Sequence, residues 1–302
     1  MKLVFCSKIA LPLFVCAALL SAGCGNKPAA DSSETGVDTT TVKPVAKKPG
    51  EVQKYSQVPS PGEMFSFIKQ IGTKADDVSR LNSTENKAKY NDNKSRALNF
   101  GVYSADLLFC STFNHGAEAL KYFVTIKKLG DDIGISTAIN EQTANRISAN
   151  IGAPDSLAAI SNDLYFTTFD HLENNDRGNT LALVMAGGWI ESIFTVTSME
   201  PAFKKDSPVI TRVAEQKFTL DNLIDFMKKY DKDADVAAMV TQLSELKSDF
   251  DKIEDPKGSA ALTMKKGKRI LGGGAGKIAI TAEQYKAITQ KVAAIRNTIT
   301  QN

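Results

Sequence analysis

An all-α fold is predicted: a multi-helix bundle with one short basic β-hairpin or loop near the C-terminus. Three observations carry this. From residue 62 onward apolar residues recur at helical period and alternating runs are few. Two segments near the C-terminus carry narrow apolar stripes at a/d spacing. Two long apolar runs, "LNFGVYSADLLFCSTFN" (98–114) and "LVMAGGWIESIFTVTSM" (183–199), superimpose without gaps and suggest two loosely repeated helical halves.

In chain order, helices are expected over 62–72, 84–114, 116–129, 132–150, 156–174, 178–199, 207–216, 220–230, 235–253 and 281–299. Gly130 is expected to stop one helix and Asp131 to restart the chain. "GAPDS" (152–156) and "NNDRGN" (174–179) have the composition of turns. In 235–253 the stripe is Val236, Met239, Leu243, Leu246, Phe250 and Ile253; in 281–299 it is Tyr285, Ile288, Val292 and Ile295. Thr281 with Gln284 forms a capping box at the start of the latter. Stripes this narrow suit antiparallel packing against each other or against the bundle. Between them, "LTMKKGKRILGGGAGKIAIT" (262–281) is poor in apolar residues and rich in glycine, as a basic hairpin or loop would be.

The two superimposable runs place Gly101 on Gly187, Tyr103 on Trp189 and Leu107 on Ile193. Glycine inside a helix costs about 1 kcal/mol relative to alanine, so it needs a packing reason, and close approach of two backbones is the simplest. Each run also carries one acid in apolar surroundings, Asp106 and Glu191. A carboxylate there must be paired, hydrogen-bonded, solvent-facing or neutralised. Tyr103, Asp106, Trp189 and Glu191 are therefore the candidate ligand-binding residues. The competing expectation, and the favoured one, is that each acid is bonded locally or to a neighbouring helix and fixes register.

The domain organisation follows from composition. Lys2 and Lys8 flank a short positive region, "IALPLFVCAALL" (9–20) is apolar, and Ser21, Ala22 and Gly23 lead to Cys24. Residues 1–23 are expected to be a signal peptide, since the apolar run is too short to span a bilayer. The ending "SAGC" resembles the bacterial lipobox, with Ser21 where leucine is commonest. That resemblance implies that Cys24 is diacylated, becomes the first mature residue and holds the chain on a membrane, Gly25 favouring the outer one. Residues 24–61 are rich in Pro, Lys, Thr, Ser and Ala and read as a disordered tether. The helical domain is expected over 62–302.

Of the four cysteines, Cys6 and Cys16 lie in the signal and Cys24 takes the lipid, which leaves Cys110 as a small buried hydrophobe and no internal disulfide. The net charge of +3, with 24% charged residues, gives no support to a nucleic-acid partner.

The segments "LNFGVYSADL" and "AGGWIESIF" resemble uncharacterised helical lipoproteins of Bacteroidota-type bacteria. The resemblance implies origin and architecture; it carries no activity, cofactor or site residue with it.

Familiar motifs fail in detail. "LGGGAGKI" (271–278) has Leu271 and Ile278 where a phosphate-binding loop needs Gly and Ser or Thr. "DKDAD" (231–235) lacks the calcium-loop glycine and final acid, where Val236 and Gln242 stand, so these aspartates are expected to charge the start of the next helix. His115 and His171 lie in no metal-binding spacing and are expected at the surface; no metal or cofactor is expected. "MKKGKR" (264–269) is a short basic cluster, expected to be solvated.

The function these features favour is a non-enzymatic interaction module: a helical lipoprotein in the cell envelope, held on the membrane by its N-terminal lipid, with an envelope protein as partner. A helical small-ligand-binding lipoprotein with a cleft between the halves is the alternative, and an uncharacterised envelope enzyme the second alternative.

Overall fold

The computed structural model describes residues 58–254 and 278–301, with two three-residue backbone segments between them, 263–265 and 268–270. The expected signal peptide, Cys24 and most of the tether lie outside the described residues, as do the glycine-rich loop and most of the expected hairpin.

The described part is predominantly helical. Helix α1 (Pro61–Gln70) starts with Pro61 in the first turn, and the Ser60 hydroxyl caps it by accepting from the Glu63 amide at 3.3 Å. Val58 and Ser60 are buried, so packing begins a few residues before the expected boundary at 62. A single 3-10 segment, Thr84–Lys89, precedes α2 (Asn93–Thr112). The continuous helix expected over 84–114 is broken because Asp92 is extended and closes a reciprocal capping box with Ser95.

Helix α3 (Gly116–Asp132) runs through Gly130, contrary to expectation. The stop is Gly134, whose φ of 72° is left-handed, and the Ile135 amide donates back to the Gly130 carbonyl at 2.8 Å in a Schellman motif. The helix expected over 132–150 is consequently shorter: α4 (Glu141–Ala149) begins only where Asn140 accepts from the Thr143 amide at 2.9 Å.

Four elements follow: α5 (Pro154–Asn174), α6 (Gly178–Met199), α7 (Pro208–Ala214) and α8 (Gln216–Met227). Helix α9 (Ala234–Phe250) is capped by Asp233, which accepts from Asp235 N at 2.9 Å and Val236 N at 3.2 Å. Asp233 and Asp235 of "DKDAD" thus serve the helix start, as expected, whereas Asp231 caps the end of the preceding 3-10 turn. Helix α10 (Ala282–Gln301) opens on the predicted Thr281–Gln284 capping box, with bonds of 2.8 and 3.2 Å.

All ten residues of the two stripes are buried, Ile253 just past the end of α9, and the two helices pack antiparallel. Lys291 ties them by donating to the Glu245 carbonyl at 2.9 Å and pairing with Asp249 at 2.6 Å; Gln284 donates to the Lys252 carbonyl at 2.7 Å.

The centre of the molecule is the α2–α6 pair. Nearly every residue of both is buried. Helix α6 is long and apolar enough to cross a membrane, but 89% of its apolar window is buried inside the protein, as in a core helix. The two helices touch through glycine. A Cβ on Gly101 would come closer than 3.0 Å to the Val184 carbonyl and Gly188 N; one on Gly187 would strike the Leu98 carbonyl. The alignment that places Gly101 on Gly187 also places Leu98 on Val184, so the crossing is locally two-fold. The likeness is confined there: the same alignment puts Asp106 on Ser192 and Glu191 on Ala105.

Helix α10 lies along this pair, antiparallel to both. Its first turn reaches the end of α6, where the Tyr285 hydroxyl donates to the Glu200 carbonyl at 2.8 Å. Its last turn reaches the start of α2, where Asn99 Nδ2 donates to the Ile299 carbonyl at 2.8 Å.

Candidate functional site: a buried acid pair under the C-terminal helix

Asp106 on α2 and Glu191 on α6 are brought together, and both are 0% exposed. Parallel packing of two apolar helices in register sets them side by side. Neither can be left as an isolated charge in such surroundings. The compensating cation is Arg296 of α10, whose Nε donates to Glu191 Oε2 at 2.9 Å and Nη2 to Oε1 at 3.1 Å. This fork-on-carboxylate arrangement is the strongest form of ion pair. The guanidinium also lies 4.5 Å over the Phe194 ring, and Nη2 reaches the Arg80 carbonyl at 3.3 Å. Arg296 is 12% exposed, so it forms the lid of the pair.

Asp106 receives less help. Oδ2 accepts from the Asn82 amide at 3.2 Å, and Oδ1 has no donor among the described residues. Burial, and next the charge of Glu191, push its carboxyl well above the usual carboxylate range. Burial raises Glu191 too, against the opposing pull of Arg296. The cation fixes where the negative charge of the site sits: on Glu191. Asp106, buried and without a cation bonded to it, is pushed towards its neutral form.

The segment around Asn82 closes the other side. The Tyr122 hydroxyl donates to the Asn82 carbonyl at 3.1 Å and the Tyr103 hydroxyl to the Ser83 carbonyl at 2.8 Å. Asn82 Nδ2 donates to the Tyr90 hydroxyl at 3.0 Å, and that hydroxyl donates to the Thr300 carbonyl at 3.1 Å. The network joins α2, α3, α6, α10 and the segment before α2 through groups that are nearly all buried. Burial pushes the hydroxyls of Tyr90, Tyr103 and Tyr122 upward, so they stay protonated as donors.

Of the four residues singled out in the sequence, Tyr103 lies one turn from Asp106 and belongs to this network through Ser83. Trp189 does not. Two residues before Glu191 on α6, it faces the other way, its ring centroid 6.4 Å from that of Phe250 on α9. Its indole N–H has no partner among the described residues. Sequence reasoning missed Arg296, Asn82, Asn99 and Tyr122. A signal existed for two of them: Arg296 follows Val292 by four residues on the apolar face of α10, and Asn99 interrupts the apolar run of α2.

The remaining chemistry-bearing groups are also used internally. Cys110 is fully buried, which pushes its thiol up and away from reactivity. His115 is half-buried rather than on the surface, since Nε2 lies 2.7 Å from the Ala75 carbonyl and the ring stacks on Phe109. His171 is likewise half-buried. Among the described residues no three metal-ligating side chains gather at one point. No protein-family model, curated protein or solved structure matches the chain.

Proposed function

We infer that this chain is an envelope lipoprotein, anchored by acyl groups on Cys24, whose helical domain is a non-enzymatic interaction module on a tether. The observation that carries this is the stretch ending in Cys24: a positive start, a short apolar run, small residues and the cysteine, followed by a tract too polar to form a core. Two or three acyl chains hold a protein on a membrane far better than one. Gly25 directly after the cysteine favours the outer membrane, with another envelope protein as partner.

The domain's interior supports a binding rather than a catalytic role. Its two buried acids are closed off from solvent, Glu191 paired with Arg296 and Asp106 accepting from the Asn82 amide. The direct backbone contact of α2 with α6 at Gly101 and Gly187 leaves no room for a cleft at that crossing, which weighs against a ligand site between two helical halves.

The test is Cys24→Ser in a bacterial host supplied with labelled fatty acid. Label should enter the wild-type protein and be absent from the variant, which should leave the membrane fraction or remain unprocessed. Label that still enters the Cys24→Ser protein would overturn the lipoprotein reading.

A further inference from the structure

We propose that residues 73–89 form a strap that opens as one unit over a bundle that stays folded, and so controls exposure of the Asp106 site.

The strap is built differently from what lies beneath it. It joins α1 to α2 with no helix but the 3-10 segment Thr84–Lys89. Its buried residues are Ala75, Leu81 and Asn82, whereas nearly every residue of α2 is buried. Its own backbone bonds are short-range: the Leu81 amide donates to the Val78 carbonyl at 3.2 Å and the Asn86 amide to the Ser83 carbonyl at 3.0 Å. Little apolar area therefore resists its departure.

Side chains of the bundle hold the strap by its backbone. His115 Nε2 of α3 lies 2.7 Å from the Ala75 carbonyl. Arg296 Nη2 of α10 donates to the Arg80 carbonyl at 3.3 Å. The Tyr122 and Tyr103 hydroxyls donate to the Asn82 and Ser83 carbonyls at 3.1 and 2.8 Å. In the other direction, the Asn82 amide donates to Asp106 Oδ2 at 3.2 Å and the Arg80 guanidinium to the Ser198 carbonyl. When strap and bundle separate, each of these bonds is exchanged for a bond to water, so each contributes modestly to closure.

Both ends suit a hinge. Gly72 has a left-handed φ of 78°, and a Cβ there would meet nothing within 4 Å, so the chain turns free of neighbours. Tyr90, at the other end, is buried and stays with the bundle. Its hydroxyl donates to the Thr300 carbonyl and its carbonyl accepts from Arg96 Nε, both at 3.1 Å. Opening between these points leaves the glycine crossing of α2 and α6 untouched. It takes the Asn82 amide from Asp106 and frees the Tyr103 and Tyr122 hydroxyls. A carboxyl and two phenols then face solvent in a molecule that is otherwise folded.

The experiment is hydrogen exchange of the full chain, read amide by amide across a series of sub-denaturing urea concentrations, in wild type, Tyr103→Phe and Tyr122→Phe. In wild type, the Leu81 and Asn82 amides should exchange about a hundredfold or more faster than the middle of α2. Urea should speed α2 steeply and leave Leu81 and Asn82 almost unchanged, because strap opening exposes little surface. Phenylalanine keeps each ring and removes the donor, so each variant should speed Leu81 and Asn82 by about fivefold. Leu81 and Asn82 exchanging at the rate of α2, with its urea dependence, would overturn the proposal, since the strap would then leave only with the whole fold. Exchange unaltered in both variants would overturn it too. Should a variant fail to fold, the wild-type urea series decides.

Discussion

Gly187→Ala is expected to destabilise the domain by about 3 kcal/mol or more, at the upper end of what an added buried methyl costs. The new Cβ would strike the Leu98 carbonyl, which is backbone in the second turn of the most buried helix and has no rotamer to turn aside. Either α6 moves off α2 or the contact is lost. The intrinsic helix preference of alanine returns only about 1 kcal/mol. In a domain of this size that corresponds to a fall in Tm of roughly 6–12 °C. Gly101→Ala should behave alike, because a Cβ there meets Val184 and Gly188 backbone. Gly152→Ala is the control: nothing lies within 4 Å of its Cβ position, so its melt should match wild type. A Gly187→Ala melt within a degree of wild type would mean that the two helices do not meet as described.

Arg296→Met is the second large effect. It keeps much of the aliphatic bulk but leaves Glu191 as a buried carboxylate with no cation. Removing one partner of a buried pair costs about 3–5 kcal/mol, because the survivor stays desolvated. The expected fall in Tm is roughly 6–20 °C. Glu191→Gln should cost less, since Arg296 is partly exposed and can turn its guanidinium into water. Equal losses in the two variants would show that the carboxylate is not dry. Thermal melts at one pH near neutrality measure both.

The fold was legible wherever an apolar period ran uninterrupted. Helix α6 is found over the expected 178–199, and the stripes of α9 and α10 identify buried residues one by one, because burial of a helix face writes itself directly into spacing. Legibility failed at short polar segments. Asn91–Asn93 breaks a helix through side-chain capping, and Gly134 rather than Gly130 ends α3. Both depend on backbone angles that several residues can support.

The candidate site was half legible. Asp106 and Glu191 stood out because acids in apolar helices need an explanation. Trp189 was grouped with them by alignment to Tyr103, yet the alignment records only the glycine crossing, and residues two apart on a helix point in different directions. The partners Arg296 and Asn82 are distant in sequence, on α10 and on a loop, and which one meets which acid is decided by tertiary packing alone.

The measurement that bears most directly on the claim that the acids belong to the fold is a double-mutant cycle at Glu191 and Arg296. Its corners are wild type, Glu191→Gln, Arg296→Met and the double variant, each unfolded by denaturant at neutral pH. A neutral glutamine needs no cation. The double variant should therefore recover much of what Arg296→Met loses, giving a coupling of about 2 kcal/mol or more. Single-variant losses that simply add, within about 0.5 kcal/mol, would contradict the account and return Asp106 and Glu191 to the pool of residues held for a ligand.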